Sequence, residues 1–325
     1  MGELEEYSVT VTVPIYNSSE YIDDCLKCIS NQTYEVSEII FVVDERTTDD
    51  SEQILMERSI SFDNLRIIKQ TDGNRLAGAR NIGIKEAKGN VLWFLDVDDI
   101  PHPTFLEELL NIMKETDADT VVCNHFQSYE RKAADIPDGE YSYSVVSGSY
   151  AAEHYTDYPI YSWSRIQKRS VFNEDSMFRV RQASEDIEQT IRQFAVSDKV
   201  CYFNKPLFNY IKNKGSSTMV NRSKELESLD EMARSLLSFI EERLPDSYPG
   251  FERCFLLNAM RQSTFSKYCD YSKWYAHSEC RKAVKSIKEK TKEMKVFLMS
   301  KFLYYLVLYP FSHFLWDKKV GQWDS

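Results

Sequence analysis

Glycine and proline are both scarce in this sequence. The 325 residues include 10 glycines and 9 prolines, whereas average usage of ~7% and ~5% would give roughly 23 and 16. Collagen-like and low-complexity architectures depend on these two residues and are therefore excluded. An apolar fraction of 42% is enough to fill a core. The composition predicts a folded globular protein made mostly of regular secondary structure.

Positive charge is in deficit over the chain as a whole. There are 40 Lys and Arg against 51 Asp and Glu, a formal net charge of -11. Such a surface repels nucleic acid, so we expect no nucleic-acid partner. Any anionic ligand needs a local arrangement of charge to hold it.

The sequence also lacks the basic segment with which a secretory signal begins. Residues 1–6 are acidic instead, which predicts a cytoplasmic protein. Seven cysteines, an odd number scattered along the chain, predict reduced thiols. Cys25 and Cys28 form one C-x-x-C with no second pair to complete a metal site, so we interpret both as small apolar side chains.

The first third of the sequence alternates short β-branched runs with segments of helical periodicity. Each run is followed by enough residues for a crossover, so the pattern predicts a Rossmann-like α/β fold, a mostly parallel sheet flanked by helices. The predicted strands are Val9 to Val13, Ile39 to Val43, Leu65 to Ile68, Val91 to Leu95 and Thr120 to Cys123.

Helix signals lie between these runs and beyond them. Asn17 and Glu20 are spaced as a capping box before a first helix, and Gly89 is placed as a left-handed C-cap after residues 77–88. Residues 125–220 are aromatic-rich and read as irregular, apart from a helix predicted over residues 184–196. From residue 223 the chain reads as polar and helical.

Polar residues lie at four of the five predicted strand ends, where open parallel sheets bind ligands. The first strand is followed by Pro14 to Asn17, the second by Asp44 to Asp49, and the fourth by Asp96-Val97-Asp98-Asp99, and the segment Asp72 to Asn81 precedes the fourth strand. Three carboxylates this close repel one another unless a cation lies among them. Oxygen ligands favour Mg²⁺ or Mn²⁺, which would bridge to phosphate. The alternative is a solvated acidic turn.

Two common phosphate-binding loops are missing. No G-x-G-x-x-G follows the first predicted strand, which removes the usual dinucleotide fingerprint. Gly78 and Gly83 have the spacing of a P-loop, but Ile84 stands where the lysine must be. A Walker-type NTPase is therefore excluded.

Six short motifs follow one another along the chain: Val13-Pro14-Ile15-Tyr16-Asn17, Asn31-Gln32-Thr33, Val42-Val43-Asp44, Ala79-Arg80-Asn81-Ile82-Gly83, Phe94-Leu95-Asp96-Val97-Asp98-Asp99 and Glu185-Asp186. Their order and spacing resemble those of the family-2 inverting glycosyltransferases, which have the GT-A fold. The resemblance covers residues 8–220.

The resemblance implies a nucleotide-sugar donor, most often a UDP-sugar, together with Mn²⁺ or Mg²⁺. Asp96 would lie at the ribose side, and Asp98 beside it would bind the metal on the diphosphate. The residues assigned to the donor are Pro14, Tyr16, Asp44, Glu45, Asn74, Arg80, Asp96 and Asp98. The family usually has two aspartates where Asp44-Glu45 stands and a Gly- or Ser-rich turn where Arg46-Thr47 stands, which leaves the base preference open.

Displacement of a nucleoside diphosphate from an anomeric carbon also needs a base on the acceptor hydroxyl, from the opposite face. By resemblance Asp186 is that base and Glu185 supports it, at the start of a predicted helix. The implied reaction moves a sugar to a hydroxyl of a glycan or lipid-linked acceptor in cell-surface polysaccharide or glycoconjugate synthesis.

Two other functions are compatible with parts of the pattern. A non-catalytic nucleotide-sugar-binding subunit of a glycan assembly complex would use the same fold, although Asp96, Asp98 and Asp186 argue against it. A sugar-nucleotide pyrophosphorylase would open with a Gly-rich loop, which is absent after Val13.

The resemblance also predicts how the chain is divided. We expect a GT-A catalytic domain over residues 1–220, with a nucleotide-sugar-binding half (1–124) and an acceptor-side half (125–220). A C-terminal helical region, residues 221–325, would follow it.

Three more features lie near the predicted site, and the first two have two interpretations each. Trp163 and the tyrosines around it either stack on a sugar or pack in the core. His102 either completes a metal site or is a turn residue before Pro103. Lys214 to Thr218 lies where the family often has a flexible segment that touches the diphosphate.

The end of the sequence reverses the overall charge. Residues 281–301 carry eight basic and two acidic side chains, and residues 302–316 are uncharged. Fifteen residues are fewer than the ~20 that span a bilayer, and Pro310 would break a helix. We expect peripheral contact of residues 281–316 with the cytoplasmic face of a membrane. The alternative is packing on the catalytic domain or at a homo-oligomer interface.

Overall fold

The computed structural model describes residues 7–132, 135–180, 185–211, 232, 235–252 and 254–255. The chain divides into two compact units, Met1–Asn221 and Arg222–Ser325. Residues 214–218 and the predicted membrane-binding segment 281–316 lie outside the described residues.

Strands and helices alternate through the first half of the first unit. The strands are β1 (Val9–Ile15), β2 (Glu38–Asp44), β3 (Leu65–Gln70), β4 (Val91–Phe94), β5 (Ile100–Pro101), β6 (Thr120–Ser128), β7 (Tyr143–Ser147), β8 (Arg165–Lys168) and β9 (Lys199–Ile211). The helices are α1 (Ile22–Ser30), α2 (Ser51–Ser59), α3 (Arg75–Glu86), α4 (Phe105–Thr116), α5 (Gly148–Glu153) and α6 (Glu185–Val196). Each of the five predicted strands is confirmed.

These strands form one sheet in the order β3-β2-β1-β4-β8-β6-β9-β5, and β7 also pairs with β9. The pairs β1/β2, β2/β3, β1/β4 and β6/β9 are parallel. The pairs β4/β8, β5/β9, β6/β8 and β7/β9 are antiparallel. The pairs among β1 to β4 are parallel as predicted, and the other half of the sheet is mixed, with β6/β9 parallel and four antiparallel pairs.

Helices cover both faces of the sheet. Successive side chains of a strand point to opposite faces, so the central strands contribute to a separate core on each side. Every residue of β2 is buried, as expected for a strand covered on both sides. Phe41 and Val43 join the larger core with α1 and α4. Ile40 and Val42 pack on the other face against Ala79 of α3.

Two predicted helix caps are wrong, and both residues have another local role. Asn17 has φ 47° and its side-chain oxygen accepts a hydrogen bond from the Thr48 amide, so it holds the loop after β2 instead of capping α1. Gly89 is not in the left-handed region; a Cβ there would collide with the backbone of Ser8 and Thr10. Its lack of a side chain lets the turn before β4 lie against β1.

The described part of the second unit is helical at residues 235–243 and 248–252. Leu236, Ile240, Phe251 and Phe255 are buried. The rings of Phe251 and Phe255 stack with centroids 5.6 Å apart. No helix within the described residues is both long enough and apolar enough to cross a bilayer.

Candidate active site

Parallel pairing gathers the carboxyl ends of β1, β2 and β4 at one edge of the sheet. Pro14 and Val42 are register partners, as are Thr12 and Phe94. The residues that continue these strands therefore share that edge: Tyr16 after β1, Asp44 at the end of β2, and Asp96 and Asp98 after β4. This is the edge at which a mixed α/β sheet binds ligands.

Arg80 connects two carboxylates from distant parts of the chain. Its Nη2 lies 3.0 Å from Asp96 Oδ1, and its Nη1 lies 2.9 Å from Asp186 Oδ1. The Arg80 side chain is only 1% exposed, whereas those of Asp96 and Asp186 are 29% and 28% exposed. A buried cation thus holds the two acids, which remain partly open to solvent.

The neighbouring Asn81 fixes the segment that covers this cation. Its side-chain amide donates to Phe178 O and accepts from Phe178 N, both at 2.8 Å. The Phe178 ring then lies with its centroid 5.3 Å from the Arg80 guanidinium carbon. The adjacent residues Arg80 and Asn81 of α3 therefore make different contacts: Arg80 binds Asp96 and Asp186, and Asn81 binds the segment at Phe178.

Asp186 lies in the first turn of α6 and has a second hydrogen bond. Ser162 Oγ donates to Asp186 Oδ1 over 2.7 Å. Ser162 is fully buried in a short 3-10 turn, Ser162–Ser164, that leads directly into β8. Arg165 in β8 donates to Thr190 and Gln193 of α6, which ties the helix to the strand.

The carboxylates after β4 crowd one another. Burial raises the pKa of Asp96, and repulsion from Asp186 and Asp98 adds to this against the attraction of Arg80. Burial and repulsion from Asp96 and Asp98 raise the pKa of Asp99 well above its ordinary value. Asp99 Oδ1 accepts from the Ile211 amide at the end of β9, so this residue has a structural partner.

A divalent cation fits this group of acids when a ligand completes its coordination. Among the described residues, no set of three or more His, Cys, Asp and Glu side chains could hold a metal ion by itself. Mg²⁺ is commonly bound by one or two carboxylates together with substrate phosphates. The half-buried Asp96 and Asp98, at a site with excess negative charge, meet that requirement.

Arg46 forms hydrogen bonds and an ion pair with Asp44. The Arg46 amide and Nε donate to Asp44 Oδ1 at 2.9 and 2.7 Å, and Nη2 pairs with Oδ2. These hydrogen bonds lower the pKa of Asp44. The Arg46 guanidinium carbon also lies 5.6 Å from the centroid of the Tyr16 ring, and Tyr16 is 57% exposed. An exposed aromatic ring and an ionised acid therefore stand beside the ends of β1 and β2.

The other predicted site residues lie in four different elements and loops. Asn74 precedes α3, and its amide and side chain donate to Asp72 at 3.0 and 2.9 Å. Glu45 is exposed, and its amide donates to Gln70 O. Pro14 is half-buried near the end of β1. Glu185 begins α6, and its side chain lies outside the described part of the structure.

Burial and contacts decide the two open interpretations and agree with the prediction for Cys25. Trp163 is 2% exposed and stacks on Phe208 at 4.3 Å, so it belongs to the core. His102 Nδ1 is 2.9 Å from Thr104 Oγ1, which makes it a turn residue. Cys25 is a free buried thiol within α1, and burial raises its pKa well above the ordinary value, as expected for apolar packing.

A sequence model of the family described as "Glycosyl transferase family 2" matches residues 10–176, more than half of the chain. The chain belongs to glycosyl transferase family 2. The matched range includes Asp44, Arg80, Asp96 and Asp98, and it ends before Asp186.

Among curated family relatives, the chain is 29% identical over 242 residues to "Glycosyltransferase GlyA" of Streptococcus pneumoniae. That match covers 70% of this chain but only 34% of GlyA, so the chain spans about a third of the length of that relative.

Solved structures show the same fold at low sequence identity. The "S. aureus TarS 1-349 in complex with UDP-GlcNAc" structure aligns with a TM-score of 0.66 and 19% identity, over 85% of this chain and 78% of that one. "Mannosyltransferase PcManGT from Pyrobaculum calidifontis in complex with GDP-Man and Mn2+" aligns with a TM-score of 0.52 and 15% identity, over 96% and 88%. The GT-A fold expected from the sequence is confirmed.

Two contacts at the site were not anticipated from the family motifs. Arg46 follows Asp44 by two residues, and this spacing after a strand end is a local signal for the pair. Ser162 is 24 residues from Asp186, and nothing in the surrounding sequence singles it out. Only the fold brings these two side chains together.

Proposed function

We propose that this protein is an inverting glycosyltransferase that moves a sugar from a nucleotide-sugar donor, a UDP-sugar, to a hydroxyl group. The acceptor would be a glycan or lipid-linked molecule in cell-surface polysaccharide or glycoconjugate synthesis. Family membership supports glycosyl transfer, and the finer assignments rest on the geometry at the sheet edge.

The observation that carries the proposal is the Arg80 bridge. Through it Asp186 lies two hydrogen bonds from Asp96, although the two acids are 90 residues apart in sequence. A transfer reaction needs the leaving diphosphate and the attacking hydroxyl close to one anomeric carbon. In this proposal Asp96, at one end of the bridge, serves the leaving diphosphate, and Asp186, at the other end, serves the attacking hydroxyl.

Asp98, with Asp96, is the proposed holder of Mn²⁺ or Mg²⁺. When bound, the metal would stabilise the negative charge that the leaving diphosphate gains. The PcManGT complex with GDP-Man and Mn²⁺ supports a divalent ion in this fold. Without such an ion, the positive charge of Arg80 offsets part of the negative charge of Asp96.

Asp186 is the proposed base. In a single displacement, the acceptor hydroxyl gives its proton to Asp186 while its oxygen bonds to the anomeric carbon. The bond from that carbon to the diphosphate oxygen breaks, and its electron pair leaves with the diphosphate. Attack from the face opposite the leaving group inverts the anomeric centre. Glu185 is proposed as a supporting acid.

The nucleoside is proposed to bind beside Tyr16 and Asp44, with Pro14, Glu45 and Asn74 at the same edge. The TarS complex with UDP-GlcNAc supports a uridine nucleotide, whereas PcManGT forms its complex with GDP-Man. Arg46 is bound to both carboxylate oxygens of Asp44. A nucleobase that binds Asp44 must therefore share it with Arg46 or displace Arg46.

Ligand-induced stabilisation tests this proposal. Thermal unfolding would be followed with UDP-, GDP- and dTDP-sugars, each with and without Mn²⁺, because a ligand that binds the native state raises the unfolding temperature. We expect the largest shift with a UDP-sugar and Mn²⁺ together. No shift with any nucleotide sugar would contradict the function, and an equal shift without Mn²⁺ would contradict the metal assignment.

A further inference from the structure

The two hydrogen bonds to Asp186 end on the same oxygen. Ser162 Oγ lies 2.7 Å from Oδ1 and Arg80 Nη1 lies 2.9 Å from Oδ1. Among the described residues, nothing donates a hydrogen bond to Oδ2. Within the described part of the structure, the carboxylate therefore has one oxygen that accepts two hydrogen bonds and one that accepts none.

Both donors are fixed in place. Arg80 is 1% exposed at its side chain, and Ser162 is fully buried. The turn that carries Ser162 is closed by the Ser164 amide, which donates to Tyr161 O. The next side chain in the turn, Trp163, is packed in the core. Neither donor can turn away to solvent without breaking this packing.

We propose that Oδ2 of Asp186 is the atom that takes the acceptor's proton, and that Ser162 is a positioning residue that holds the carboxylate for this step. The inference rests on the proposed function and names the atom that performs it. The O–H bond of the acceptor breaks, its proton forms a bond to Oδ2, and the acceptor oxygen bonds to the anomeric carbon. The diphosphate leaves with the electron pair.

The division of the carboxylate has a chemical consequence. A protonated carboxylic acid keeps acceptor capacity on its other oxygen. After Oδ2 receives the proton, Oδ1 can still accept from Ser162 and Arg80, so neither buried donor loses its partner during the reaction. If Oδ1 took the proton instead, two buried donors would compete with it.

Ser162→Ala and Ser164→Ala form a matched pair for the test. Both serines are fully buried in the same turn, but Ser164 Oγ donates to Tyr161 O and not to Asp186. The assay measures nucleoside diphosphate release from the panel of nucleotide sugars, with water or an alkyl glycoside as acceptor. Thermal unfolding shows that each variant is folded, and Ser162→Cys, with a weak donor, replaces Ser162→Ala if that variant fails to fold.

For Ser162→Ala we expect kcat to fall about 10- to 100-fold, the effect of one hydrogen bond to a charged group, with the donor KM within about two-fold. Ser164→Ala should keep kcat within about three-fold. Equal losses in both variants would overturn the inference, as would a change confined to KM.

A double variant separates positioning from general structural damage. In the Asp186→Asn background the base is gone, so Ser162→Ala should lower the residual rate no further. A further loss equal to that seen in the wild-type background would overturn the role of Ser162 while leaving glycosyl transfer intact. No release by the wild type from any nucleotide sugar would instead contradict the proposed function itself.

Discussion

At the scale of single residues, two arginines determine which carboxylates of the site are already paired. Asp96 and Asp186 share the buried Arg80, and Asp44 is paired with Arg46. Asp98 is next to this group, and its carboxylate adds to the repulsion that raises the pKa of Asp96. A second cation near Asp98 would relieve that repulsion.

Replacing Asp98 with Asn should therefore remove metal-dependent binding of the nucleoside diphosphate, because the amide cannot supply the negative charge that holds Mn²⁺ or Mg²⁺. Titration calorimetry with UDP, with and without Mn²⁺, measures this directly. Asp63→Asn is the matched control, since Asp63 is exposed and precedes β3 at the opposite edge of the sheet. Unchanged affinity and an unchanged metal response in Asp98→Asn would contradict the assignment.

At the scale of elements, the sequence pattern predicts the first half of the sheet far better than the second. The runs for β1, β2 and β4 are rich in β-branched or aromatic residues and fully or mostly buried, so composition alone marks them, whereas β3 is only partly buried and is marked by Ile67 and Ile68. Four-residue β8 hides two polar residues, Arg165 and Gln167, in the core. Because the run is short and half polar, the sequence pattern does not predict that β8 pairs antiparallel between β4 and β6.

The sequence pattern does not predict strand β9, for a different reason. Its 13 residues include Pro206, and its pairing with β6 shifts register near Cys123 and Asn124. Proline within a run argues against a central strand, and the irregular pairing breaks simple alternation. The same limit applies to the site: the motifs identify Arg80 and Asp186 separately, but their contact spans 106 residues and follows only from the fold.

One acid joins several elements at the edge of the sheet away from the site. Glu38, at the start of β2, accepts hydrogen bonds from Thr10 of β1, Arg66 of β3 and the Lys88 amide after α3. Burial opposes its charge, but these hydrogen bonds outweigh burial and lower the pKa of Glu38 below its ordinary value of 4.5.

Glu38→Gln should lower the free energy of unfolding by about 1–3 kcal/mol at pH 7, the range for a buried donor left without its acceptor. A lowered native pKa means that the stabilisation is fully present above pH 4.5 and is lost as the pH falls through the native pKa. Urea unfolding at pH 7 and below pH 4 should therefore show the difference from wild type shrinking. Exposed Glu35 supplies the control, Glu35→Gln, with little effect at either pH. A difference that grows toward low pH would contradict this account.

At the scale of the whole molecule, charge is unevenly distributed along the chain. The net charge is -11, yet residues 281–301 carry eight basic side chains and two acidic ones. Basic residues near an anionic membrane contribute about 1 kcal/mol each, and aromatic residues favour the headgroup boundary. We propose that residues 281–316 bind the cytoplasmic face of a membrane peripherally.

Co-sedimentation with anionic liposomes tests this proposal. Full-length protein should bind at low salt and be released at high salt, because the attraction is partly electrostatic. A truncation after Thr291 removes the uncharged segment 302–316 and three of the eight basic residues, and it should bind much less. Equal binding by both proteins, or none by either, would leave packing on the catalytic domain or a homo-oligomer interface as the role of the segment.

In the proposed reaction the donor binds on the Asp96–Asp98 side of Arg80, and Asp186 takes the acceptor proton. The substitution Asp186→Asn separates these two assignments, because the amide can still accept from Arg80 and Ser162 but is a much weaker base.

The decisive measurement is therefore nucleoside diphosphate affinity and sugar-transfer rate on the same preparation of Asp186→Asn. We predict UDP affinity within a few-fold of wild type and a transfer rate lower by ~10²- to 10⁴-fold, the usual contribution of a general base. Transfer at close to the wild-type rate would contradict the assignment of the base and, with it, the proposed catalytic role of the Arg80 bridge.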